Sequence, residues 1–168
     1  MDLTFVPVSI GDPLIENVKR LYETAFPAIE RQPFSVLFSG FHGDGELFAF
    51  LDGDLFAGMI YLLSYGDITH ILYLAIPENL HRKGYGSHIL SLIRKKYPDQ
   101  RIIADLESPG EGSSNADQRN QRIRFYRKNG YDFTGVSYRW RGEDYQIMSS
   151  GGIITGEELS AFWQYFYS

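Results

Sequence analysis

Residues 68–97 read ITHILYLAIPENLHRKGYGSHILSLIRKKY, and the fold is decided here. The first part is β-branched and aromatic, with an apolar run from Ile71 to Ile76 of the kind a buried strand carries. The last part sets Ile89, Leu90, Ile93 and Tyr97 on one helical stripe. Arg94, Lys95 and Lys96 sit near its end, where cations meet the negative pole of the helix dipole. Between strand and helix lies a turn containing Gly84 and Gly86. Free backbone N–H groups and the positive dipole end converge at such a junction, which makes it an anion site built from main chain. Both glycines are expected at the surface of the turn, where a side chain would hold a phosphate away.

Two phosphate motifs are excluded by spacing. A Walker loop needs Gly, four residues, then Gly-Lys-Ser/Thr, and that pattern does not occur. The dinucleotide fingerprint fails because Gly84-Tyr85-Gly86 is followed by Ser87, His88 and Ile89, without the third small residue.

Working outward, Leu3 to Val8 reads as a strand. Asp12-Pro13 then opens a helix with Leu14, Val18, Leu21 and Tyr22 as its apolar stripe. Two prolines break the chain before a short helix carrying Phe34, Leu37, Phe38 and Phe41, and HisGlyAspGly (42–45) turns it. Glu46–Leu51 and Leu55–Leu63 form a hairpin across an Asp-Gly-Asp turn. After the central helix come a strand at Ile102–Leu106, a polar loop at Ser108–Asn115 and a helix from Ala116 to Asn129. Tyr131–Trp140 and Asp144–Met148 make a last hairpin. Thr155 with Glu158 is a capping box that starts a C-terminal amphipathic helix with Leu159, Phe162, Trp163 and Phe166. The pattern is α/β (α+β): a mixed, mostly antiparallel sheet flanked by helices, in one domain over residues 1–168.

Composition narrows the function. The 168 residues are 43% hydrophobic and 15% aromatic, enough for a substantial core. A net charge of −5 argues against a nucleic-acid partner. Without cysteine there is no disulfide, thiolate metal site or cysteine nucleophile, and no metal is expected. The N-terminus lacks a basic region and a long apolar run, and no stretch reaches a membrane span, so a cytoplasmic protein with no membrane partner is expected.

In its full context, Arg82-Lys83-Gly84-Tyr85-Gly86 after an apolar strand and before an amphipathic helix resembles the acyl-CoA pyrophosphate loop of the GNAT family of N-acetyltransferases. That loop is written Gln/Arg-x-x-Gly-x-Gly/Ala, and His81 stands where the family prefers Gln or Arg. A second block, RIRFYRKNGY at 122–131, is similar to the family's helix ending in Phe-Tyr and followed by Gly-Phe or Gly-Tyr. The resemblance covers about Ile68 to Tyr131. It implies the acyl-CoA N-acyltransferase fold with an added C-terminal helix, and acetyl-CoA as acyl donor held by His81, Arg82, Lys83, Gly84, Tyr85, Gly86 and Ser87. It further implies that the central strand splays from its neighbour, so that main chain near Leu74 and Ile76 binds the pantetheine arm. Tyr126 falls where the family protonates the departing thiolate; as a plain helical residue it would simply pack on the sheet.

The base is read less narrowly. Counting back from the loop, His70 occupies the place of a family base, and imidazole suits the task; the alternative is a satisfied structural histidine. Asp105 and Glu107 alternate onto one face of the next strand, and Glu107 at its end is either a base open to substrate or a solvated strand end. Glu30 and Arg31 lie in the bend where the family builds its acceptor pocket, or form a surface ion pair; Glu30, Asp105 and Glu107 are the carboxylates expected nearest the acceptor. Phe34, Phe38 and Tyr65 are the expected apolar walls. Arg119, Arg122, Arg124, Arg127 and Lys128 spread over several faces of their helix and read as a solvated surface, the alternative being that one or two meet the 3′-phosphate of CoA. The C-terminal helix can pack on the sheet, cover the acceptor pocket or form a dimer surface. The expected function is transfer of an acetyl group from acetyl-CoA to an amine of a small molecule or peptide, by a monomer or homodimer. A non-catalytic CoA-binding module on the same fold and a plain α/β interaction domain are the alternatives.

Overall fold

A computed structural model describes residues 1–28, 30–39, 45–108 and 116–167. In chain order the elements are β1 (Leu3–Pro7), α1 (Ile15–Ala25), α2 (Val36–Ser39), β2 (Glu46–Asp52), β3 (Leu55–Tyr65) and β4 (Ile68–Ala75). A short 3-10 turn at Glu78–Leu80 leads to α3 (Tyr85–Lys96), β5 (Arg101–Glu107), α4 (Ala116–Lys128), β6 (Asp132–Trp140), β7 (Glu143–Ser150) and α5 (Gly156–Tyr167). This is the order expected from the sequence. Phe41, the His42-Gly43-Asp44 part of the expected turn and residues 109–115 of the polar loop lie outside the described residues.

Seven strands form one sheet in the order β1-β2-β3-β4-β5-β7-β6. Every neighbouring pair is antiparallel except β4 and β5, whose parallel pairing requires the crossover that α3 supplies. Among the described residues this parallel ladder holds four pairs, from Ile68↔Arg101 to Ile71↔Ala104. Beyond them β4 continues against β3 to Ala75, while β5 continues against β7 to Glu107. The two strands therefore part in mid-sheet.

Strand alternation sorts the side chains into two cores. On one face Tyr22, Leu63, Tyr73, Ile103, Ile147 and Phe162 gather under α1 and α5. On the other, Ile60, Ile89, Ile93, Ile102, Ile123 and Tyr126 gather under α3 and α4. The Thr155–Glu158 capping box forms reciprocally, each backbone N–H reaching the other side chain at 3.1 Å. Arg101 fixes the start of α5 to the β3–β4 turn by bonding Asp67 at 2.8 Å and Glu158 at 2.5 Å. Among the described residues no helix is long and apolar enough to cross a membrane.

Candidate active site

The turn before α3 has the backbone an anion site needs. Gly84 precedes the helix with φ +87°, a conformation that a side chain strains, and a Cβ built there would meet open space. No side chain of the described residues caps this helix start, so its first N–H groups are left without a side-chain partner. Arg82, itself at φ +64°, and Lys83 are exposed on the same turn. His81 donates from Nε2 to the Ile76 carbonyl at 2.8 Å, tying the turn to the end of β4. Tyr85 is buried and its hydroxyl donates to Asp52 at 2.6 Å, so its side chain anchors the helix from below. The Ser87 hydroxyl accepts from Asn129 Nδ2 at 3.1 Å, which joins the start of α3 to the end of α4.

Gly86 departs from the expectation of a surface position. It is buried, and a Cβ there would come within 2.9 Å of the Phe125 ring and 3.3 Å of Ile76. Its lack of a side chain serves the approach of α4 to α3 as well as the approach of any ligand. Next to the turn, Leu72 to Ala75 of β4 have lost β5 as a partner, leaving main chain open on that side, with Leu74 and Ile76 half-buried at the split. A helix start with uncapped N–H groups beside an unpaired strand edge fits a phosphate-bearing ligand with an extended amide arm.

On the α1/α5 face a cavity of about 1070 Å³ opens against β4 and β5. Glu30, Asp105 and Glu107 line it together, as does Arg122 from α4. The α1–α2 bend is held by Gln32, whose carbonyl accepts from Tyr22 at 2.5 Å and whose N–H donates to the Tyr73 hydroxyl at 3.0 Å. This clamp presents Glu30 to Glu107. Partial burial, the hydrogen bond to Glu107 and the repulsion of its charge push Glu30 up to about 7, with Arg122 and Arg119 pulling the other way. Glu107 in turn meets Arg119 at 2.5 Å, and Arg119 also reaches Glu143 at 3.2 Å. The pair is thus two carboxyls poised to share a proton near neutral pH.

His70 does not line the cavity. It is fully buried, edge-on to Phe162 and Trp163 of α5, with Nε2 bonded to Asp105 Oδ1 at 2.7 Å. Its Nδ1 has no partner among the described residues. Asp105 also accepts from the Tyr138 hydroxyl, so this carboxylate is fixed from two sides. Tyr126 sits on the opposite face of the sheet from α5. It is buried against Phe125 and Tyr131, and burial holds its hydroxyl protonated well above the ordinary tyrosine range, Arg122 opposing and Asp105 adding. Arg31 turns back to donate to the Phe26 carbonyl at 2.7 Å, and Phe34 packs on Tyr22 and Phe38; none of Arg31, Phe34, Phe38 and Tyr65 lines the cavity. Tyr65 instead stacks on Tyr165 with centroids 4.4 Å apart.

The walls come from Trp163, on the stripe expected for the C-terminal helix, and from rings not expected there: Phe26, Tyr138, Trp140, Tyr145 and Tyr167. One signal was available. Given the two-residue turn Arg141-Gly142, with both residues at positive φ, Tyr138 must oppose Tyr145, and it does. The α5 helix packs on the sheet through Phe162 and Phe166 and also lines the cavity through Trp163 and Tyr167.

A family model described as the acetyltransferase (GNAT) family matches residues 15–131. No curated protein sequence matches the chain. Among solved structures, a Bacteroides thetaiotaomicron protein assigned to that family superposes with a TM-score of 0.79 at 20% identity, covering 96% of this chain and 94% of its own. A GNAT-family acetyltransferase from Elizabethkingia anophelis, with acetyl-CoA bound, gives 0.59 at 17% identity over 89% and 97%. The ribosomal-protein-S18-alanine N-acetyltransferase from Escherichia coli gives 0.62 at 17% identity over 92% and 97%. The chain belongs to the GNAT family, whose members are acetyl-CoA-dependent N-acetyltransferases.

Proposed function

We propose that the chain acetylates a primary amine of a small metabolite or peptide, in the cytoplasm, by direct transfer from acetyl-CoA. The observation that carries this reading is the Glu30–Glu107 carboxyl pair in the cavity alongside the split between β4 and β5. Acetyl-CoA supplies an acetyl group as its thioester. The N–H groups at Gly84, Tyr85, Gly86 and Ser87, with Arg82 and Lys83 beside them, hold its phosphates, and main chain from Leu74 to Ile76 holds its arm.

The cationic acceptor is drawn to the carboxylates and must lose a proton before it can attack. The Glu30–Glu107 pair takes that proton. The new N–C bond forms as the C–S bond breaks, and the thiolate receives a proton from the Tyr126 hydroxyl, which burial keeps protonated. His70 acts as a positioning residue: it orients Asp105, and its own ring stays under α5.

A screen of amine classes with acetyl-CoA, read by thiol release, tests the reading. Release with at least one amine, reduced by Glu107→Gln, is expected. Tight CoA binding without release from any amine would instead make the chain a non-catalytic CoA-binding module.

A further inference from the structure

The half of the cavity that faces the acceptor is built from two aromatic walls. The β6–β7 hairpin supplies Tyr138, stacked on Tyr145 at 5.4 Å between centroids, with Trp140 edge-on to Tyr145 and capped by the Arg141 guanidinium at 4.1 Å. The α5 helix supplies Trp163, in contact with Tyr167 at 5.3 Å. Both walls lie beyond residue 131, where the family match ends. Tyr138, Trp140, Tyr145 and Trp163 are half-buried, each keeping part of its ring open. Burial disfavours ionisation of Tyr145, and its ring stands close enough to Glu30 and Glu107 for both carboxylates to add to that.

The charge lining the same space is nearly balanced. At full ionisation Glu30, Asp105 and Glu107 exceed Arg122 and Arg141 by one, and the proton shared by Glu30 and Glu107 and the Arg119 ion pair to Glu107 lower that excess near neutral pH. Asp105 is already engaged by His70 and Tyr138. A ligand with several ammonium groups would bring the additional ones toward Arg122 and Arg141. Gln32, Ser160 and Gln164 could bond some hydroxyls of a polyhydroxylated ligand, but those laid against ring faces would go unbonded, at a desolvation cost. A single cation on a flat apolar body meets both features, because π-faces attract ammonium groups and stack on rings.

Resting on the transferase reading, we propose that the acceptor is a singly charged primary amine carried on an aromatic body, its ring received by Tyr145 and Trp163 and its amine by Glu30 and Glu107. The cavity of about 1070 Å³ has room for a one- or two-ring acceptor.

The test compares tryptamine, spermidine and an aminoglycoside as acceptors for the full chain, with acetyl-CoA as donor and thiol release as readout. The expected result is a kcat/KM for tryptamine about tenfold or more above either competitor, since each ring contact contributes up to about tenfold. Trp163→Ala should raise KM for tryptamine by about five- to tenfold more than it raises KM for spermidine. Because Trp163 also packs on His70 and Phe162, Tyr145→Ala from the opposite wall provides a second variant with the same expectation. A preference for spermidine or the aminoglycoside, or an equal loss for all three acceptors in both variants, would overturn the proposal. Calorimetric titration of tryptamine into the chain loaded with CoA separates the two levels. Binding that Tyr145→Ala weakens, without turnover of any amine, sustains the acceptor class while the transferase reading fails. Turnover of spermidine with no tryptamine binding overturns the acceptor class and leaves the transferase reading standing.

Discussion

Replacing Glu30 by Gln removes one carboxyl from the pair in the cavity and keeps a group that can bond Glu107. In the native chain Glu30 is raised from its ordinary 4.5 to about 7, first by burial and then by Glu107. The folded state therefore keeps a proton there, between pH 4.5 and 7, that the unfolded chain has released. Native stability must fall as pH rises across that window and level off above it. At about 1.4 kcal/mol per pH unit the full displacement would amount to about 3.4 kcal/mol. Glu30 is only half-buried, and solvent screening reduces this to about 1–2 kcal/mol. Gln carries no such proton, so the Glu30→Gln variant should lose this part of the slope. Relative to the native chain it should gain about 1–2 kcal/mol on going from pH 5 to pH 8. Urea denaturation followed by the fluorescence of Trp140 and Trp163, at half-unit steps over that range, measures the difference directly. A difference that stays constant from pH 5 to pH 8 would refute the carboxyl-pair reasoning.

Three further outcomes are expected. Tyr126→Phe should lower kcat by about 10²-fold while leaving the affinity for acetyl-CoA unchanged, and near-normal turnover would return Tyr126 to a packing role. Gly86→Val should destabilise the fold through its collision with Phe125, and Phe125→Ala should restore much of the loss in the double variant; additive losses in thermal denaturation would contradict that contact. Gly84→Ala meets no neighbour and should cost about 1 kcal/mol through φ alone, a loss that Phe125→Ala should leave untouched.

How far the sequence could be read depended on how local each signal was. The anion turn was legible because strand, glycines and helix are consecutive, and the capping box because Thr155 and Glu158 are three residues apart. Gly86 was misread as a surface position because its constraint comes from Phe125, almost forty residues away on another helix. The carboxyl pair joins a bend after α1 to the end of β5, and no period or spacing relates those positions. Alternation placed Asp105 and Glu107 on one face correctly, yet it could not say that His70 would lie beneath α5 and engage one of them. Phe34 and Phe38 were expected as cavity walls from their apolar character, but the same character lets them satisfy one another and Tyr22 instead.

Because β4 and β5 meet along only four described pairs, the molecule has a built-in line of weakness between two sturdier half-sheets. One half, β1 to β4, is laced by antiparallel ladders five to seven pairs long, and the other by β5, β7 and β6. Opening along the seam breaks fewer main-chain bonds than dismantling either half, so it should be a distinct sub-global event. Amides bridging Ile68–Ile71 and Arg101–Ala104 would then exchange with solvent deuterium sooner than those joining β2 to β3, although all lie in the buried centre of the sheet.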